Sequence, residues 1–123
     1  MEKPHKKLDV WKLSMDLACR VYRATEAFPR GEQYSLTDQV RRAAVSIPSN
    51  IAEGAARQTK REFANYLHIA QGSLSELDTL LELATHLEYL RPDRWNALDE
   101  QMVRIDKMLT GLIRRQKTNG RKE

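Results

Sequence analysis

Apolar residues recur at three- and four-residue steps through almost the whole of this chain, a spacing that suits helices and no strand. The last stretch is the strictest. Trp95, Leu98, Met102, Ile105, Leu109 and Leu112 alternate steps of three and four, the spacing of a bundle or coiled-coil seam. A first helix from about Asp9 to Ala27 carries two stripes. One is Val10, Leu13, Leu17, Val21, Ala24 and Phe28; the other is Trp11, Met15, Ala18 and Tyr22. So wide an apolar arc suits contacts beyond those inside one bundle. Phe28-Pro29-Arg30-Gly31 ends this helix, and Ser35 or Thr37 can cap the next, with Asp38 favourable near its positive end. The second helix places Leu36, Val40, Ala43, Ala44, Ile47, Ile51 and Ala55 on one face, in phase across Pro48, which predicts one kinked helix rather than two.

Thr59 and Glu62 form a capping box for a third helix reaching about Leu90. Its seam is Phe63, Tyr66, Ala70, Leu74 (or Ser73), Leu77, Leu81 and Ala84, widened by Leu80 and Leu87. Pro92 suits the first turn of the fourth helix. Short connections after the second and third helices make neighbours antiparallel. The expected fold is all-α: an up-down-up-down antiparallel four-helix bundle, its second helix kinked at Pro48. Residues 9–113 form the bundle, between a basic N-terminal tail (1–8) and a basic C-terminal tail (114–123), both expected to be disordered.

A length of 123 residues suits one domain, and 41% hydrophobic with 31% charged residues describes a soluble globular chain. No apolar run approaches the roughly 20 residues that span a bilayer, so no membrane partner is expected. The single cysteine, Cys19, allows no internal disulfide and reads as a buried structural thiol. Together these features point to the cytoplasm. The net charge of +4 sits in the tails: residues 1–7 carry +2, residues 114–123 carry +4, and residues 8–113 sum to −2. Either the tails solubilise, or they form basic arms that touch phosphate. Within the body, Gln39 to Glu62 is basic and Leu74 to Glu100 acidic, opposite signs that can pair helices or subunits.

Catalytic chemistry has few candidates. His68 and His86 stand about 27 Å apart along one helix and cannot share a metal, and Glu82 with His86 is a lone pair. Ser46 and Ser49 lack the glycine-flanked elbow of hydrolases, and no glycine-rich phosphate loop exists. No catalytic residue, metal or cofactor is expected, and an enzyme is not.

The second helix is unusual on its other face. Gln39, Arg42, Ser46, Ser49 or Asn50, Glu53 and Arg57 form a polar stripe, although Ser and Asn are mediocre helix formers. Pro48 removes one donor and frees the carbonyl of Ala44. Three readings stand: a structural polar network around the kink, within or between subunits; a ligand or nucleic-acid contact; and plain solvated surface. Arg41, Arg42, Arg57, Lys60 and Arg61 supply a candidate phosphate-binding patch, which Arg20 and Arg23 could join. Tyr34 is the one aromatic placed to stack on a base. Binding through such a patch reads backbone or shape rather than sequence.

Val10-Trp11, Phe28-Pro29, Gln39-Val-Arg-Arg-Ala, Ser46-Ile-Pro-Ser-Asn-Ile-Ala-Glu-Gly54 and the run from Phe63 to Leu77 resemble the four-helix-bundle family of 23S ribosomal RNA intervening-sequence proteins. The resemblance spans about residues 8–113. It implies a helical bundle that assembles with itself as a homopentamer, and no catalytic residues. It also implies kinship with the accessory variability proteins of diversity-generating retroelements, which bind nucleic acid and a reverse transcriptase. Two functions follow as expectations. One is a non-enzymatic homo-oligomer that binds ribosomal RNA or other nucleic acid without sequence preference, with a reverse transcriptase as a partner by analogy. The other is a protein-interaction scaffold whose basic patch serves subunit assembly.

Overall fold

The computed structural model describes residues 3–120, which form four helices: α1 Asp9–Thr25, α2 Leu36–Ala55, α3 Lys60–His86 and α4 Pro92–Gly120. Among the described residues there is no strand. Each helix packs on its neighbours in sequence and α4 closes back on α1, while the diagonal pairs do not meet. Paired contacts run in opposite directions along every seam. Ser46 of α2 meets Ser73 of α3, and Gly54 meets Tyr66. Gln71 of α3 reaches Thr110 of α4, while Asp78 lies beside Asp99. Arg23 of α1 shares a cleft with Arg94 of α4, and Val10 one with Gly111. The molecule is an up-down-up-down antiparallel four-helix bundle.

Its core follows the apolar spacing. Leu17 and Val21, then Val40, Ile47 and Ile51, then Leu77 and Leu81, then Ile105 and Leu109 are fully buried. Each such side chain contributes roughly 1.5–3 kcal/mol of burial. α2 runs unbroken through Pro48, which is itself buried. The α3 seam is rotated from the expected one at its start: Leu67 and Ala64 are buried, whereas Phe63 and Tyr66 are half-buried. The cause is Gly54. A Cβ there would lie 2.6 Å from Tyr66 Cβ and 3.0 Å from Phe63 Cδ1, so these two side chains pack over the end of α2 instead of entering the core.

The helix ends also differ in part from expectation. Thr59 caps α3 as expected, accepting from the Glu62 N–H at 3.1 Å, and its hydroxyl donates to the Glu62 carboxylate at 3.0 Å. Ser35 occupies the position before α2, but its side chain makes no capping bond, and Thr37 is buried inside the helix. Glu32 takes over the role, accepting from the Leu36 N–H at 3.3 Å. α3 stops at His86, short of Leu90, because Glu88 adopts a left-handed conformation with φ 66°. Leu87, one turn beyond exposed Leu83, is exposed as well.

The described parts of both terminal segments are helical. Pro4–Lys7 forms a turn of 3-10 helix packed on α1 and α2, and His5 meets the Trp11 ring edge-on at 4.9 Å. Residues 114–120 continue α4. Arg121 and Lys122 lie outside the described residues.

Candidate interaction surfaces

The polar stripe of α2 divides by position. Ser46 and Asn50 are half-buried against α3. The hydroxyls of Ser46 and Ser73 share a 2.7 Å hydrogen bond, and Asn50 Nδ2 donates to both the carbonyl (2.8 Å) and the hydroxyl (3.0 Å) of Ser46. Glu53 is exposed and accepts from Arg57 at 2.9 Å. Gln39 and Ser49 are exposed as well, and Ser49 turns toward α1 rather than α3. Ser46, Asn50, Glu53 and Arg57 therefore follow the α2–α3 seam, while Pro48 and Ser49 face the α1–α2 seam.

The five basic candidates meet different partners. Arg41 is half-buried against α1: its Nε donates to Thr25 Oγ1 at 2.8 Å, and its guanidinium lies 4.6 Å over the Tyr22 ring. Arg57 donates to the Tyr66 hydroxyl at 2.9 Å and lies 4.9 Å over that ring. Both hold helices together by cation–π and hydrogen-bond contact. Arg42 is exposed, 3.7 Å from Asp38. Lys60 and Arg61 are exposed, with no acidic partner among the described residues. Tyr34 is 89% exposed in the α1–α2 connection.

The second stripe of α1 opens onto a feature of its own. Trp11, Met15, Ala18 and Tyr22 line one wall of a groove of about 620 Å³, with Val45, Pro48 and Ala52 of α2 opposite. Met15, Tyr22 and Val45 each keep more than two-fifths of their surface exposed. Cys19 is exposed in this groove, contrary to its reading as a buried thiol. The apolar arc of α1 is wider than the bundle interior uses, so residue 19 falls on its outer flank. The signal for this groove was the double stripe itself; its α2 wall went unread because Val45 falls off the core phase.

Titratable groups add little chemistry. The Tyr89 hydroxyl donates to Glu32 at 3.0 Å, and that bond, with desolvation and the carboxylate's charge, raises its pKa above the ordinary value. Asp78 is raised by burial and by the charges of Asp99 and Glu82. Burial alone would raise Asp93, but Arg91, at 3.2 Å, and backbone N–H groups hold it below the usual value. Among the described residues no three His, Cys, Asp or Glu side chains cluster to hold a metal. No helix among them is long and apolar enough to cross a membrane.

A family model described as 23S rRNA-intervening sequence protein matches residues 6–111. A crystal structure of a protein of unknown function from the S23 ribosomal protein family of Bacteroides thetaiotaomicron superposes with a TM-score of 0.76. The two chains are 26% identical over 85% of this chain and 97% of that one. No curated protein matches this sequence.

Proposed function

This chain belongs to the family of 23S rRNA-intervening sequence proteins, and from that premise we propose that it is a non-enzymatic, self-assembling bundle. The observation that carries the reading is the open apolar groove between α1 and α2. A second apolar patch lies elsewhere, at the end of α3, where Leu83 and Leu87 are exposed beside half-buried Leu80; Ile69 is exposed further along the same helix, beyond Glu76. Two different apolar faces on one chain suit head-to-tail contact, which closes into a ring when the rotation permits. The five-copy ring implied by the resemblance is the assembly we propose. Light scattering tests it. The wild type is expected at five times 14.3 kDa, and Val45→Glu, which buries a charge in the groove, is expected to yield folded monomers. A wild-type monomer at micromolar concentration overturns the proposal.

A second reading, weak binding of RNA or DNA with little sequence preference, is favoured by Lys60 and Arg61, whose charges are exposed and unpaired among the described residues. Its test is filter retention of ribosomal RNA or DNA fragments. Retention at low salt that falls as salt rises supports it; no retention at low salt rejects it.

A further inference from the structure

The α1–α4 side of the bundle carries basic residues that neither reading uses. Two clefts open along this seam. One, of about 360 Å³, includes Arg20, Arg23 and Arg94 in its lining. The other, of about 410 Å³, includes Lys107 and Arg115. Between them Arg104 is exposed one helical step beyond Gln101, the residue that joins the two helices. From Arg94 to Arg115 the row runs about 32 Å along α4 at about 1.5 Å per residue.

Carboxylates beside the row are fewer than its cations: Asp93 lines the first cleft and Asp9 the second, and Lys107 also borders an α3–α4 cleft lined by Asp78, Asp99 and Asp106. Asp93 is engaged by Arg91 at 3.2 Å, and Asp16 by the Gln101 amide at 3.0 Å. Arg23, Arg94, Arg104, Lys107 and Arg115 have no acidic partner among the described residues. Arg20 is fixed in place by its donation to the Gln101 side-chain carbonyl. A row of cations that outnumbers the carboxylates beside it and makes no ion pair attracts a polyanion of similar reach. No aromatic side chain lines either cleft, so the contact is to phosphate and not to bases.

We propose that the α1–α4 seam binds the phosphodiester backbone of a nucleic-acid strand laid along the helix axes. This rests on the nucleic-acid reading above and moves the contact away from Lys60 and Arg61. Arg23 also lines the α1–α2 groove, whereas Arg94, Arg104, Lys107 and Arg115 do not.

The experiment is fluorescence anisotropy of a labelled single-stranded RNA oligonucleotide across a salt series. It compares the full-length wild type with Arg94→Gln/Arg104→Gln/Lys107→Gln and with Lys60→Gln/Arg61→Gln. The seam variant is expected to bind at least about tenfold more weakly. Its salt dependence should flatten by about two units of logarithmic slope, at about 0.7 per lost phosphate contact. The Lys60/Arg61 variant is expected to bind like the wild type. Circular dichroism and light scattering check that fold and assembly are unchanged; if the triple variant fails to fold, Arg104→Glu alone should weaken binding and flatten the slope in the same direction. A seam variant that binds like the wild type overturns this inference and leaves the nucleic-acid reading standing. A wild type that does not bind overturns both.

Discussion

Single residues set the two tightest places in this bundle. Glu88 sits where α3 reverses. The Tyr89 N–H donates to the Ala84 carbonyl at 2.9 Å and the Glu88 N–H to the Thr85 carbonyl at 3.0 Å, a Schellman end whose left-handed position usually holds glycine. A side chain there costs about 1 kcal/mol or more. Glu88→Gly is therefore expected to stabilise the fold by about 1 kcal/mol, read as an upward shift of a few degrees in thermal unfolding. Gly54 has the opposite sensitivity. Alanine is the better helix former by about 1 kcal/mol. Its methyl would nevertheless overlap the Cβ of Tyr66, a backbone-anchored atom that cannot swing away. Gly54→Ala should destabilise by up to about 2 kcal/mol net, because overpacking costs about 1–3 kcal/mol. Chemical denaturation of the two variants beside the wild type checks both signs.

Between elements, the seams differ in how far the sequence revealed them. The fourth helix was legible almost residue by residue, since Leu98, Met102, Ile105, Leu109 and Leu112 are all buried. Burial of these five follows their spacing. The polar link from α4 to α1 was not legible. Gln101 is buried, donates to the Leu13 carbonyl at 3.1 Å and to Asp16 at 3.0 Å, and accepts from Arg20. A glutamine beside an apolar seam looks like surface until its partners from another helix are known. Partners on other helices also divide the candidate basic patch. Nearness in sequence grouped Arg41 with Arg57, but α1 claims one and α3 the other. The α3–α4 seam yields a pH effect. Asp78 has its pKa raised by burial and by Asp99 and Glu82. The folded state thus binds that proton more tightly than the unfolded chain does. Stability from this site is full below the ordinary carboxylate pKa and is lost as pH rises through the raised value. Asp78→Asn should accordingly show a small gain in stability over the wild type at neutral pH. The gain should vanish on acidification below the ordinary carboxylate range, as followed by denaturation across a pH series.

For the whole molecule, the question is how two unlike apolar faces can both be covered. A contact of groove against groove would be two-fold symmetric and would leave Ile69, Leu83 and Leu87 in water. A contact of groove against α3 covers both faces in every copy once the ring closes. Mixing variants separates the two geometries. Val45→Glu disables the groove and keeps the α3 face; Leu83→Glu does the reverse. If the contact is head-to-tail, each variant alone is monomeric, because every junction needs one of each face. Their equimolar mixture then retains one competent junction, the α3 face of the first variant in the groove of the second. It should form a one-to-one dimer and stop there, since the two free ends carry the buried charges that block extension. If the contact is groove to groove, Leu83→Glu assembles like the wild type and the mixture adds nothing. Light scattering of the two variants and their mixture, at one total concentration, distinguishes these outcomes by mass alone.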